Sequence, residues 1–179
     1  MRAKRHKARH YAMQALYQWH MAGAAPGDIE ADFRAEYDFG KVDGEYFHTL
    51  LHGITSRVEE VEAAFSPCMV ERALDELDPV ERALLRIGAF ELMERVDVPY
   101  KVVIDESVNL ARKFGATDSH KFVNGVLDQV ARRLRTVEID GEAPAGNRAA
   151  AARDKRRREA VGTDGEATAS AGAGTNVDD

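Results

Sequence analysis

From His6 to Arg135 apolar residues recur at helical spacing almost without a break, and no stretch alternates with period two for long enough to make a strand. Ala8, Ala12, Ala15, Leu16 and Trp19 fall on one face, and the breaker stretch AGAAPGD follows. Ile29, Phe33 and Tyr37 predict a short second helix that stops near Gly40. Phe47, Leu50, Leu51, Ile54, Val58, Val61 and Phe65 then form one stripe at i, i+3, i+4 spacing, the mark of a helix with one buried side.

The second half opens on SPCMVERALDEL, where Ser66 can cap and Pro67 can start a short helix. In DPVERALLRIGAFELMERV, Asp78 is placed to cap, Pro79 to begin the helix and Glu81 to complete a capping box. Val80, Leu84, Ile87 and Phe90 lie on one side of it, with Leu85 and Leu92 well away. A helix apolar on more than one side is central in the core or covered by a partner. VPYKVVIDESVNLARKFG puts Pro99 in a first turn and Gly115 where a left-handed stop belongs, and the last helix begins near Asp118. The expected fold is all-α: about seven helices in two small antiparallel bundles, with lobes at about 11–65 and 66–135.

Beyond Arg135 the residues lack aromatics and periodicity, so 136–179 is expected to be disordered. Its one distinctive feature is the basic cluster at 153–158. No apolar run approaches a membrane span and the lone Cys68 cannot form an internal disulfide, which together suggest a soluble cytosolic protein.

Charge is uneven. The chain carries −6, yet residues 1–10 carry +5. An acidic body repels phosphate as a whole, so nucleic-acid binding has to be local. An Arg/Lys arm running into an amphipathic helix is one such local device: Arg5, Lys7 and Arg9 supply charge, Gln14 hydrogen bonds and Tyr17 a ring. A second candidate is FGATDSHKFVNGVLDQ, where Ser119, His120, Lys121 and Asn124 gather at a helix start. Phe122 there is either core or an exposed ring for a base.

Enzyme chemistry finds little support. Phosphate-cradling glycine motifs are absent from the sequence. His48 and His52 have the i, i+4 spacing of metal ligands, but no third ligand is evident, so they are expected to be ordinary helix histidines and no metal or cofactor is expected. Glu91 falls near the Val80, Leu84, Ile87 face and needs a partner such as an arginine or a set of backbone N–H groups. Cys68 at a helix start lacks an evident histidine partner.

The stretches RHKARHYAMQALYQW, LDPVERALLRIGAFELMERVDVPYKVVIDESVNLARKFG and DSHKFVNGVLDQVARRLR together resemble the bacterial transcription antitermination factor NusB, over residues 5–135. The resemblance implies a two-lobed helical protein that binds the boxA element of nascent ribosomal RNA with NusE, a small-subunit ribosomal protein, and helps RNA polymerase resist termination. It also implies an RNA-side set of Arg5, Lys7, Arg9, Gln14, Tyr17 and Phe122, with Asp118 and Lys121 on the same surface. A NusE face would draw on Asp75, Glu76, Glu81 and Leu85. The family arm commonly reads as consecutive arginines, and here His6 interrupts it, a deficit that the cluster at 153–158 could offset. Two rivals differ in class: an accessory domain like that of ribosomal RNA cytosine methyltransferases, and a helical protein-binding adaptor whose basic arm is incidental.

Overall fold

The computed structural model describes residues 1–142, which fall into eight α-helices and three 3-10 turns with no strand among the described residues. Met1–Thr136 form one unit, and Val137 begins another. The α-helices are α1 (Arg2–Ala22), α2 (Pro26–Glu36), α3 (Gly44–Ser56), α4 (Val58–Phe65), α5 (Pro79–Glu94), α6 (Tyr100–Phe114), α7 (Ser119–Leu134) and α8 (Thr136–Glu142). No described helix is long and apolar enough to cross a membrane.

Local chemistry sets most boundaries. Helix α1 stops at Gly23, whose φ of 67° returns its N–H to the Trp19 carbonyl at 3.0 Å, a left-handed cap that glycine adopts freely. Asp43 caps α3 by accepting from the Tyr46 N–H at 3.0 Å. Asp78 caps α5 through Val80 (2.8 Å) and Glu81 (3.4 Å), with Pro79 in the first turn. Helix α5 is the centre of the body: Ala83 to Leu92 are all buried, and it packs against α1, α3, α4, α6 and α7. Its apolar character on several sides thus has its cause inside the chain.

Four local expectations need correction. The single long stripe through Phe65 is two helices, broken at Arg57. Just before the break, Thr55 Oγ1 donates to the Leu51 carbonyl at 2.8 Å and Ser56 Oγ to that of Gly53 at 3.2 Å; such hydroxyls compete with the helical ladder and bend it. The stripe hides the break because Val61 and Phe65 stay fully buried beyond it. Secondly, Ser66 and Pro67 sit in a 3-10 turn with no side-chain cap, and a second such turn, Leu74–Glu76, replaces the helix expected here. Thirdly, Glu81 does not close a capping box, because Arg72 and Ser119 occupy its carboxylate. Fourthly, Gly115 is extended rather than left-handed (φ −81°). It is needed for close approach: a Cβ there would lie 2.6 Å from the Ala111 carbonyl and 2.8 Å from the Ser119 Cβ. The left-handed residue in that turn is Asp118.

The expected disordered tail begins instead as α8, a helix that buries none of its residues. The rest of that segment, with the basic cluster at 153–158, lies outside the described residues.

Charged contacts fasten the helices. Arg135, buried at the end of α7, donates to the carbonyls of Leu92 (2.8 Å), Glu91 (3.1 Å) and Arg95 (2.8 Å), supplying a cation to the last turn of α5. Glu62 of α4 accepts from Arg82 Nε at 2.8 Å and from Arg86 Nη2 at 2.6 Å. Burial pulls the Glu62 pKa up, but the hydrogen bonds from Arg82 and Arg86 prevail and hold it below the ordinary 4.5. A depressed folded-state pKa means that this stabilisation is complete above the unfolded value and is lost as pH falls through the folded one. Glu62→Gln is therefore expected to flatten part of the acid limb of stability against pH, read as urea midpoints from about pH 3 to about pH 7. An unchanged limb would show that the contact does not differ between the folded and unfolded states.

Candidate nucleic-acid interface

The basic arm is not a loose extension. It is the first turns of α1, so its side chains have fixed directions. At about 100° per residue, Lys7, His10, Gln14 and Tyr17 share one face, while Arg5 and Arg9 point elsewhere. On the shared face Lys7 is exposed and Tyr17 is 42% exposed. Gln14 bonds the His10 ring at 3.2 Å, and that ring stacks on Phe114 at the end of α6 with centroids 4.5 Å apart. Burial, then the charges of Lys113 and His6, push the His10 pKa below the ordinary histidine value, which favours a neutral ring at this place. Lys113 lies 5.2 Å from the Phe114 ring centre. The His10–Phe114 stack thus sets this face of α1 against the end of α6, and Asp118, Lys121 and Phe122 follow at the start of α7.

Sequence reasoning missed His10, Lys113 and Phe114 as members of this face. Spacing places His10 beside Gln14, but nothing in one sequence says that the end of α6 meets it.

At the start of α7, Lys121 pairs with Asp118 at 2.9 Å, and both are exposed. The Lys121 ammonium, through its hydrogen bond first and its charge second, holds the Asp118 carboxyl below its usual range. Phe122 is half-buried, neither core nor free, with the Arg72 guanidinium 4.3 Å from its ring centre. Phe122 and Lys121 also border a shallow cleft with Cys68 and Val70.

Three arm residues are engaged within the protein. Arg9 is 2% exposed and forks onto the fully buried Glu91, with Nε at 3.0 Å from both carboxylate oxygens and Nη2 at 2.7 Å from Oε1. Its assignment to the RNA side is therefore corrected: a cation with its fork filled by a buried carboxylate has nothing to offer phosphate. Glu91 does have the arginine partner that burial demanded, together with the Tyr46 hydroxyl. Arg5 is part-exposed, 3.5 Å from Asp43, 3.4 Å from Asp97 and 4.8 Å from the Tyr46 ring centre. His6 bonds Glu106 at 2.5 Å, tying α1 to α6.

The expected NusE face also divides. Asp75 and Glu76 are exposed, and Glu76 accepts from the Ala73 N–H at 2.6 Å. Glu81 and Leu85 are corrected, since both are buried within this chain. Leu85 is fully enclosed, and Glu81 accepts from Ser119 Oγ at 2.7 Å and Arg72 Nη2 at 2.9 Å. Arg72 therefore touches both Glu81 and Phe122.

The described residues form an all-helical body built round α5, with a cationic and aromatic face on α1. The chain belongs to the NusB family, whose sequence profile matches residues 6–132. The transcription antitermination protein NusB of Pseudomonas savastanoi pv. phaseolicola is 58% identical over 137 residues, covering 76% of this chain and 82% of that one. Its counterpart in Saccharophagus degradans is 56% identical over 138 residues, covering 77% and 92%. Among solved structures, T. maritima NusB superposes with a TM-score of 0.63 at 28% identity, over 71% of this chain and 89% of that one. A chain of the antitermination factors NusB and NusE in complex with dsRNA gives 0.65 at 27%, over 74% and 99%.

Proposed function

We propose that this chain is an RNA-binding transcription antitermination factor that, with NusE, binds boxA in nascent ribosomal RNA and keeps RNA polymerase processive, acting in the cytoplasm and without catalytic chemistry of its own. The observation that supports the reading is the His10–Phe114 stack, which sets the Lys7, Gln14, Tyr17 face of α1 against the end of α6. The solved relative bound to NusE and dsRNA supports the partner classes.

In this reading Lys7 and Lys121 hold phosphates, Tyr17 and Phe122 stack on bases, and Gln14 and Asp118 exchange hydrogen bonds with base edges or ribose. Arg5 joins them when a phosphate replaces Asp97 as its partner. NusE docks beside Asp75 and Glu76, the acidic residues that remain exposed. Of the lobes at about 11–65 and 66–135, the second takes NusE, while RNA draws on α1 from the first and on the start of α7 from the second. The basic cluster at 153–158 adds phosphate affinity where His6 interrupts the arm.

Fluorescence anisotropy of a boxA-like RNA against a scrambled RNA, with and without NusE and at several salt concentrations, tests this. Preference for boxA should strengthen with NusE. Lys7→Ala and Lys121→Ala should each lower the slope of log affinity against log salt by about 0.7. Tyr17→Ala should cost about 1–3 kcal/mol of binding, about 5- to 160-fold in affinity, from the loss of a base stack. Asp75→Lys should slow association with NusE while leaving RNA binding alone. Equal, weak, purely salt-driven binding to both RNAs would favour the adaptor instead.

A further inference from the structure

Away from the RNA face, α2 and α3 bring together three side chains that the proposed function does not use. Glu30 Oε2 lies 2.8 Å from His48 Nδ1 and 2.7 Å from His52 Nε2, and the two imidazoles stack with centroids 4.2 Å apart. The other oxygen, Oε1, is held by Arg34 Nε at 2.8 Å. The histidines supply the i, i+4 pair seen in the sequence, and the carboxylate is the third ligand that one sequence could not reveal, because it comes from a different helix.

We propose that Glu30, His48 and His52 form a binding site for a divalent transition-metal ion of the zinc class. The donor set is two imidazole nitrogens and one carboxylate oxygen, which suits zinc, cobalt or nickel and not calcium or magnesium, whose sites are built from oxygens. The three donor atoms already lie within 4.8 Å of one another. In a tetrahedral site with bonds of about 2.1 Å, neighbouring donors stand about 3.4 Å apart, so each imidazole nitrogen, at 2.8 and 2.7 Å from Oε2, need only draw back from it by under about 1 Å. Arg34 fixes the carboxylate by its far oxygen and leaves Oε2 for the ion, the role of a partner that orients a ligand. The Glu30 side chain is 11% exposed and that of His48 is 55%, so the carboxylate is anchored while the ion has a way in and water can take a fourth position. The bound ion would pin α2 to α3.

Visible absorption during cobalt(II) titration of the full, untagged chain, followed by competition with zinc(II), tests the proposal. The expected result is one saturable tetrahedral cobalt site per chain, displaced by zinc, with affinity reduced about tenfold or more in each of His48→Ala, His52→Ala and Glu30→Gln. Zinc should also raise the Tm of the parent chain but not that of His48→Ala, a change at a half-exposed position that keeps the fold by circular dichroism. His20→Ala should bind like the parent. Failure to saturate, or retention of the cobalt spectrum in both His48→Ala and His52→Ala, would overturn the proposal. Neither result bears on RNA binding, which anisotropy reads separately.

Discussion

Arg9→Met is expected to lower the free energy of unfolding by about 3–5 kcal/mol, and Glu91→Leu by a similar amount. The reason is what each change leaves behind. Glu91 is fully buried, and without Arg9 its carboxylate keeps only the Tyr46 hydroxyl and backbone surroundings. Without Glu91, the Arg9 guanidinium is left 5.2 Å from the Tyr46 ring centre with one weak hydrogen bond, at 3.3 Å to the Tyr46 oxygen. An unpaired buried charge costs far more than the pair contributes when intact. The double variant Arg9→Met/Glu91→Leu removes both charges together and should recover most of the loss, which urea denaturation of the four proteins measures directly. If both singles cost under about 1 kcal/mol, the pair is not buried as described.

Tyr46 gives the same cluster a pH signature. Burial first, and then the Glu91 charge, push its phenol above the ordinary 10.0. A raised folded-state pKa for an acid leaves stability untouched while both states are protonated and erodes it once the unfolded chain ionises, so stability should fall as pH rises past about 10. Tyr46→Phe should remove that alkaline slope. The double variant also separates two roles for Arg9. If Arg9 serves only the core, Arg9→Met/Glu91→Leu binds boxA RNA like the parent; if it reaches phosphate, RNA affinity falls although the fold is restored.

Arg9 shows how a sequence can mislead on a single residue while being right about a helix. Its charge places it with Arg5 and Lys7, but its position sets it in line with Ala12, Met13 and Leu16, the buried stripe of α1. That register was the available signal, and Glu91, a carboxylate on an apolar face in need of a cation, was its complement. Neither could be matched with the other, since 82 residues separate them. The same limit applies to Leu85 and Glu81. Periodicity showed that α5 is apolar on several sides, but a single sequence cannot say whether the second side meets another helix or another protein. The existence of α1, α2, α3, α5, α6 and α7 was legible, because periodic burial and the cap at Asp78 are local, whereas the short helix expected after Ser66 is two 3-10 turns and α8 was not foreseen. The Arg57 break was not, because the apolar stripe runs straight across it.

The core position of α5 leads to the second large effect. Gly88→Val is expected to destabilise the protein by at least about 2 kcal/mol, although valine is the better helix former. A Cβ at Gly88 would lie 2.5 and 2.7 Å from the two terminal carbons of Leu127 on α7, closer than carbons can approach. Leu127 is fully buried and cannot swing into solvent, so α7 must move or the leucine must leave its rotamer. On α3, Gly53 receives the Phe90 ring of α5 in the same way, with a Cβ there 2.5 Å from the ring tip. Helix α5 is thus keyed on two sides by a large side chain seated over a glycine, which fixes both how near its neighbours lie and how far they can slide. Leu127→Ala alone should cost about 2–5 kcal/mol by opening a cavity. Combined with Gly88→Val, it makes room for the new methyl groups, so the double variant should be more stable than the sum of the singles predicts. Strict additivity in thermal or urea unfolding would mean that the two residues do not share this space. Because α7 carries Lys121 and Phe122, Gly88→Val should also weaken boxA binding in the fraction that stays folded, while Lys7 and Tyr17 on α1 remain in place.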